Sequence, residues 1–341
     1  MAITYNSVDF RGVAAEPIFE EIMFENNTIA NGLVTFEENV KAETIFTETN
    51  AAAVMQPWVC GEPTSAGDLN LFDSVVTPAK VMYYMEWCPE IFRFTRFKRD
   101  MKPGAWNMMS AEEERVLMSQ YGKKISLDLE QKFWSNVTAA TKTAVAALTA
   151  GAANNQVSTQ EKALVAATSS TAPFGVFDGL VQKMIYNNSN ATQTAGVGGR
   201  VKVVGTTITA ANIKAEYEKV FAAIPAELLA SGEVPFLYVP YSHKSIINIA
   251  NNVNTNYTKP FDISGDSYKF YGIEIKFVPI PENVIIAAPK INLIWTTDLL
   301  SDVSELKIDR IANNREDWFI KAVMTIKPHV ANQKYNVLYV G

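Results

Sequence analysis

Histidine and cysteine are nearly absent from this chain of 341 residues, with two of each. Cys60 and Cys88 have no second Cys or His at ligand spacing, so neither a disulfide framework nor a zinc site is indicated. They are expected to be ordinary buried or half-buried thiols. His243 falls in the first turn of an expected helix and His329 directly follows Pro328. Both are expected at the surface. The chain also lacks a Gly-x-Ser-x-Gly elbow, a Walker loop and a His-Glu-x-x-His pair. Gly196, Gly198 and Gly199 fail the dinucleotide fingerprint because Val201 stands where its third glycine belongs, so they read as a surface turn. The sequence therefore assigns no catalytic, cofactor-binding or metal-ligating residue, expects no cofactor, and points away from an enzyme.

A basic excess is missing too. Lys and Arg number 30 against 36 Asp and Glu, a net charge of -6, so counterion release cannot drive tight binding to nucleic acid. The first residues, MAITYNSVDFRG, lack the basic region and apolar run of a signal peptide, which predicts synthesis and use in a cytoplasm. The low-charge stretch from Ala139 to Ala153 is interrupted by Lys142 and is too polar to span a bilayer, so no membrane partner is expected. Without secretion, the Asn-x-Ser/Thr triplets at Asn136, Asn190 and Asn256 read as chance matches. Hydrophobic residues make up 48%, enough for a sizeable core, while charged residues at 19% leave a surface that is uncharged polar or covered by other subunits.

What is present is an unusual order of parts. Residues 1–30 show no sustained period; Pro17 among Glu16, Glu20 and Glu21 allows at most one short helix in an extended arm. From Val34 to Phe46 the pattern alternates, with Val34, Phe36, Val40, Ala42 and Phe46 on one face and Thr35, Glu37, Lys41 and Glu43 opposite, which predicts one strand with a wet side. A turn-rich tip follows at Trp58–Asp68, with Gly61, Pro63, Ser65 and Gly67, and an apolar segment returns at Val75–Trp87. Together they predict a long hairpin-like excursion. The first hundred residues cannot close a core of their own, and they read as pieces that pack on neighbouring copies.

Ser110 and Glu113 form a capping box, and Leu117, Tyr121, Ile125, Leu129 and Phe133 then recur on one face of a helix running to Ser135. Its length is about 39 Å at roughly 1.5 Å per residue. Glu112, Glu113 and Glu114 sit where the helix dipole favours negative charge. Residues 137–172, rich in Ala, Thr, Ser and Asn, read as an inserted loop with one weak helix near Thr159–Ala167.

The remaining half mixes elements. A helix is expected at Phe177–Tyr186, a strand at Arg200–Thr207, a helix capped by Thr209 that stops before Pro225, a strand at Phe236–Val239, a helix capped by Ser242, and strands at Ile273–Phe277 and Ile291–Trp295. A final amphipathic strand places Trp318, Ile320, Ala322, Met324 and Ile326 on one face, with Lys321, Thr325 and Lys327 opposite. Without regular βαβ repetition this is an α+β chain. Tyr83, Tyr84, Trp87, Phe92, Phe94 and Phe97, interleaved with Arg93, Arg96, Lys98 and Arg99, could stack on single-stranded nucleic acid. The acidity of the chain favours a core or subunit interface instead, where Arg and aromatics are also enriched.

This layout resembles the major capsid proteins of tailed bacteriophages with the Hong Kong 97 fold. The resemblance is carried by the order arm, β-excursion and long helix ending in ISLDLEQKFWSN, and by YGIEIKFVPIPENVIIAAPKINLIWTTDL followed by REDWFIKAVMTIKPHVA. It implies an N-terminal arm at 1–30, an E-loop at 31–90, a P-domain with a spine helix at 91–140 and 301–341, and an A-domain at 171–300. The Ala/Thr-rich insertion at 141–170 has no counterpart. It further implies a structural subunit that self-assembles as pentamers and hexamers into an icosahedral shell around double-stranded phage DNA, in a virion capsid built in the host bacterial cytoplasm. Scaffold, portal and decoration proteins would be its partners. Some relatives weld subunits through a Lys–Asn isopeptide bond; Lys41 and Lys80 fall in the E-loop, and neither is singled out. An encapsulin-like nanocompartment shell, or an α+β enzyme or binding protein with no recognisable site, are the alternatives.

Overall fold

A computed structural model of the chain describes residues 8–10, 27–41, 43–52, 54–62, 64–88, 111–154, 156–169, 175–186, 199–230, 232–253, 259–298, 306–311 and 317–341. Expectations resting on the rest of the arm, on Pro63, Ser110, Asn190, Gly196, Gly198 and Asn256, and on Phe92 to Arg99 lie outside these residues.

The amphipathic strand foreseen near the C-terminus organises the first sheet. It is β14 (Trp318–Val330), and its Ile320, Ala322, Met324 and Ile326 are buried as the alternation requires, while Trp318 at its start is half-buried. Along one side it pairs first with β13 (Leu306–Arg310) and then with β12 (Leu293–Thr297); along the other it pairs with β5 (Ala79–Trp87) over the full register from Trp318–Trp87 to Ile326–Ala79. Short strands β1 (Val8–Phe10) and β2 (Thr35–Glu37) finish the two ends.

The second sheet has seven strands in the order β6 (Val201–Val204), β15 (Val337–Val340), β11 (Val284–Ala288), β7 (Phe236–Pro240), β10 (Ile273–Val278), β9 (Ser267–Phe270) and β8 (Asp262–Ser264). Its central strands read FLYVP, VIIAA and VLYV because both faces are covered, which removes the selection for alternation. One face packs on α6 (Ile213–Ala223) and α7 (Ser242–Val253) through Tyr217, Val220 and Ile247; the other shares a core with the first sheet and the long helix.

That helix, α2 (Ala111–Ser135), is 25 residues long, and Ile125, Leu129 and Phe133 on its apolar face are buried. At its C-terminal end an aromatic column joins everything. Phe133 stacks on Trp295 of β12 at 4.1 Å between centroids, Trp134 meets Phe133 edge-on at 5.6 Å, and Trp134 lies against Tyr238 of β7 at 5.3 Å. The column also anchors the segment leaving the arm. Trp134 Nε1 donates to Thr28 Oγ1 at 3.0 Å, Tyr238 donates its hydroxyl to the Leu33 carbonyl at 2.6 Å, and the Glu130 carboxylate accepts from the Thr28 amide at 2.9 Å. The Glu130 carboxylate thereby caps the one-turn α1 (Asn27–Ala30). Gly179 fits against the helix end because a Cβ there would lie 2.7 Å from the Asn136 nitrogen.

Several expectations are corrected. The single strand over Val34–Phe46 is two elements, β2 and β3 (Thr44–Ala52), separated at Asn39, whose φ of 66° turns the chain. The excursion over residues 31–90 accordingly divides: β2 and β5 belong to the first sheet, and the hairpin is β3 with β4 (Asp68–Val76). Val34 and Val40 are buried in the chain's own core, and residues 8–10 pair with the chain's own β13, so these pieces do not reach to a neighbour. The last strand is β15 rather than β14, and it lies in the second sheet, so residues 301–341 serve both sheets. The insertion holds two helices, α3 (Ala139–Ala147) and α4 (Thr159–Ala167), where one was expected. Each caps the other: Lys142 Nζ donates to the Thr168 carbonyl at 3.0 Å, and Lys162 Nζ to the Leu148 carbonyl at 2.7 Å, cations at helix C-termini. Thr209 does not cap α6 directly; Asn212 occupies that position, and Thr209 closes the preceding turn onto it.

Truncating Trp134 to Ala opens the column at its centre and removes the indole's hydrogen bond to the Thr28 hydroxyl. The expected loss is about 3 to 5 kcal/mol in denaturant melts, and both sheets should lose stability in one transition because they share that core.

Candidate functional site

The β3–β4 hairpin has two unlike faces. Its register runs from Thr44–Val76 at the base to Ala52–Asp68 near the tip. Period-two alternation puts Thr44, Phe46, Ser74 and Val76 on one side, and at the base this side is seated on the body: Val76 is fully buried and Ser74 nearly so. The opposite side carries Ile45, Leu69 and Leu71, and the tip adds Val54, Met55, Trp58 and Val59. All are more than half exposed, Trp58 at 87% and Met55 at 98%. On the same outer face the Thr47 hydroxyl donates across the strands to Asp73 at 2.8 Å. Seven large apolar side chains on one projecting hairpin form a surface that water disfavours and that a partner would cover. An isolated two-stranded hairpin is marginal by itself, which adds to the same demand.

Phe46 at the base stacks on His329 at 4.7 Å between centroids. His329 is buried at the end of β14, and its Nε2 has no hydrogen-bond partner. Burial, then the nearby cations Lys183 and Lys327, push its pKa down to about 3. Lys183 on α5 (Leu180–Ile185) is likewise buried with an unpartnered Nζ; burial and Lys327 bring it down to about 7, with Asp178 acting in the opposite direction. His243 is buried as well, its Nδ1 3.0 Å from the Tyr217 hydroxyl, and burial lowers its pKa to about 4. Both histidines were expected at the surface, and both are core residues. Their covering partners, Phe46 and Tyr217, lie in other elements, so no local pattern could have revealed this.

Cys60 is exposed at the hairpin tip, against expectation, and Cys88 is intermediate. Lys41 and Lys80 are both exposed. Of the aromatic cluster, Tyr83 docks β5 on α2 through its hydroxyl to Asp128 at 2.8 Å, with Lys132 5.4 Å from its ring centroid, while Tyr84 is 46% exposed and lies beside Phe319. Asn136 is buried and donates to the Phe177 carbonyl at 2.7 Å. Among the described residues no group of three or more His, Cys, Asp or Glu could hold a metal ion, and no helix is long and apolar enough to cross a membrane.

Lowered histidine pKa values set a pH dependence. The unfolded chain takes up protons below about 6.5, the folded chain resists down to about 4 at His243 and about 3 at His329, so stability falls as pH falls through that window. Replacing His329 with Phe keeps the stack on Phe46 and removes an unsatisfied nitrogen. It is expected to raise the melting temperature and flatten the stability–pH curve between about pH 6.5 and 3; urea melts across that range read both effects.

No known family model matches the chain, and no curated protein does. Solved structures do. The capsid of a native GTA particle aligns with a TM-score of 0.54 over 99% of this chain and 95% of that chain, at 9% identity. The satellite phage P4 procapsid that includes the size determination (Sid) protein gives 0.52 over 99% and 92%, at 11% identity. Mycobacterium phage Ogopogo gives 0.51 over 99% and 94%, also at 11% identity. At such identities the likeness establishes the fold: the chain has the Hong Kong 97-like capsid fold along nearly its whole length.

Proposed function

We propose that this chain is the structural subunit of a phage capsid, self-assembling as pentamers and hexamers into an icosahedral shell around double-stranded DNA. The observation that carries the reading is the combination of a capsid fold over 99% of the chain with a projecting hairpin whose outer face is apolar and exposed. A monomer has no use for that face; a lattice of copies covers it. In functional terms residues 1–30 are the N-terminal arm, the β3–β4 blade within 31–90 is the E-loop, spine helix α2 with the first sheet is the P-domain, 141–170 is the insertion, and the second sheet, drawn from 171–300 and β15, is the A-domain. The net charge of -6 suits a shell filled by a motor, in which DNA is held by confinement and not by a basic lining. Scaffold, portal and decoration proteins are the other partners of this reading, the virion capsid is its location, and the host bacterial cytoplasm its place of assembly.

Replacing Trp58 and Leu71 together with Ser tests it. Both side chains are exposed, so melting of the subunit should stay within about 0.5 kcal/mol of the parent, while closed particles disappear from electron micrographs. A variant that still closes shells would remove the hairpin from the contact; one that fails to fold would place these residues in the subunit's own core.

A further inference from the structure

The insertion between the long helix and the second sheet makes its most specific contacts with one strand, β6. Arg200, immediately before β6, is fully buried and donates from Nη2 to Glu161 Oε1 at 2.5 Å and from Nε to the same oxygen at 3.2 Å. Glu161 is also the α4 capping residue, its other oxygen accepting from the Ser158 amide at 2.7 Å. The loop joining α3 to α4 closes around the next side chain. Lys202 Nζ donates to the carbonyls of Gly151 at 2.6 Å, Ala153 at 2.8 Å and Gln156 at 3.1 Å. Within that loop Asn154 turns its side-chain oxygen to the Lys202 backbone N–H at 3.1 Å, and its carbonyl accepts from Arg200 Nη1 at 3.3 Å.

Lys202 N–H is an outward group. Among the described residues β6 is the end strand of its sheet and pairs with β15 alone, so the amide that faces away from β15 is the one another strand would take. The sequence of β6, Val-Lys-Val-Val, has the β-branched character that invites such pairing. The opposite end of the sheet needs no such cover: β8 is three residues long and begins with an exposed Asp262. In the first sheet the end strands β1 and β2 are three residues each. On the free side of β14 lies the nine-residue β5, the other long edge strand; β6 is the edge whose outward amide is engaged by a side chain of the insertion.

We propose that the α3–α4 insertion is an edge guard: it occupies the outer edge of β6 so that a strand from a second copy of this chain cannot extend the second sheet. Arg200–Glu161 fixes the guard to the base of the strand, and the Lys202 ammonium, gripped by three carbonyls, shapes the loop that presents Asn154 to the edge. The guard acts against unwanted pairing between copies, a separate matter from the hairpin contact, and it stands whether or not the chain forms a closed shell.

Two full-length variants test it. Asn154→Ala with Lys202→Met uncovers the edge and leaves its amide in place. Asn154→Ala with Lys202→Pro uncovers the edge but removes the amide, at an end-strand position where proline is tolerated. The guard predicts that hydrogen exchange at the residue 202 amide of the Met variant is at least about tenfold faster than in the parent, following loss of its acceptor. It also predicts irregular aggregate in sedimentation of the Met variant that is absent from the Pro variant. Equal behaviour of parent and Met variant in both measurements overturns the proposal. So does aggregation of both variants alike, since that would show lost folding and not an exposed strand edge.

Discussion

The aromatic column at the end of the long helix is the contact on which the rest depends. Phe133 and Trp134 are adjacent in sequence, so on a helix they point in different directions, one to Trp295 in the first sheet and the other to Tyr238 in the second. Two sheets with different partners are thereby held to one rod. The same indole reaches Thr28, and the Glu130 carboxylate beside it takes the Thr28 amide, so the chain leaving the arm is tied to the same point. Burial raises the Glu130 carboxyl, and the hydroxyl and amides of Thr28 and Asn27 pull it back in part. With one end of the subunit so fixed, the β3–β4 hairpin is left to project. Its base is held by Phe46 and Val76, and its outer half meets nothing in its own chain among the described residues that would bury Trp58, Leu69 or Leu71.

Strand edges follow a consistent logic. Of the edge strands of the two large sheets, β1, β2 and β8 are three residues long, β6 is covered by the insertion, and the nine-residue β5 pairs with β14 alone among the described residues. Apolar exposure is concentrated on the hairpin instead. A subunit meant to associate in one way and no other needs both features, an attractive surface in one place and closed edges elsewhere.

Much of this was legible in the sequence, for identifiable reasons. Ile320 to Ile326 alternate because one face of β14 meets the core and the other does not, and Tyr121 to Phe133 recur because α2 buries a single stripe. Wherever both faces are covered, the periodicity vanishes: Val337–Val340 is wholly apolar, and its membership of the second sheet left no mark. The join between β2 and β3 was hidden by an alternation that runs on through Glu38–Glu43 across the turn at Asn39. Helix α3, with five alanines in nine residues, has good intrinsic propensity, but it is short, lacks an apolar stripe of large residues, and is held by distant groups: Asp178 accepts from the Thr138 amide and the Thr141 hydroxyl, and Lys162 caps its end. The histidines were misplaced for the same reason, since Phe46 and Tyr217 cover them from other parts of the chain. Of the functional surface, the turn-rich tip could be read directly; that Val34 and Val40 fold inward while Ile45 and Leu71 do not depends on the turn between them.

Electron microscopy of the purified full-length chain, with or without a scaffold protein, tests the central claim most directly. The account predicts closed particles whose averaged images show five- and six-fold clusters of subunits, with the hairpin of one copy lying over another. A compact monomer near 37.7 kDa that persists at high protein concentration under both conditions would contradict it.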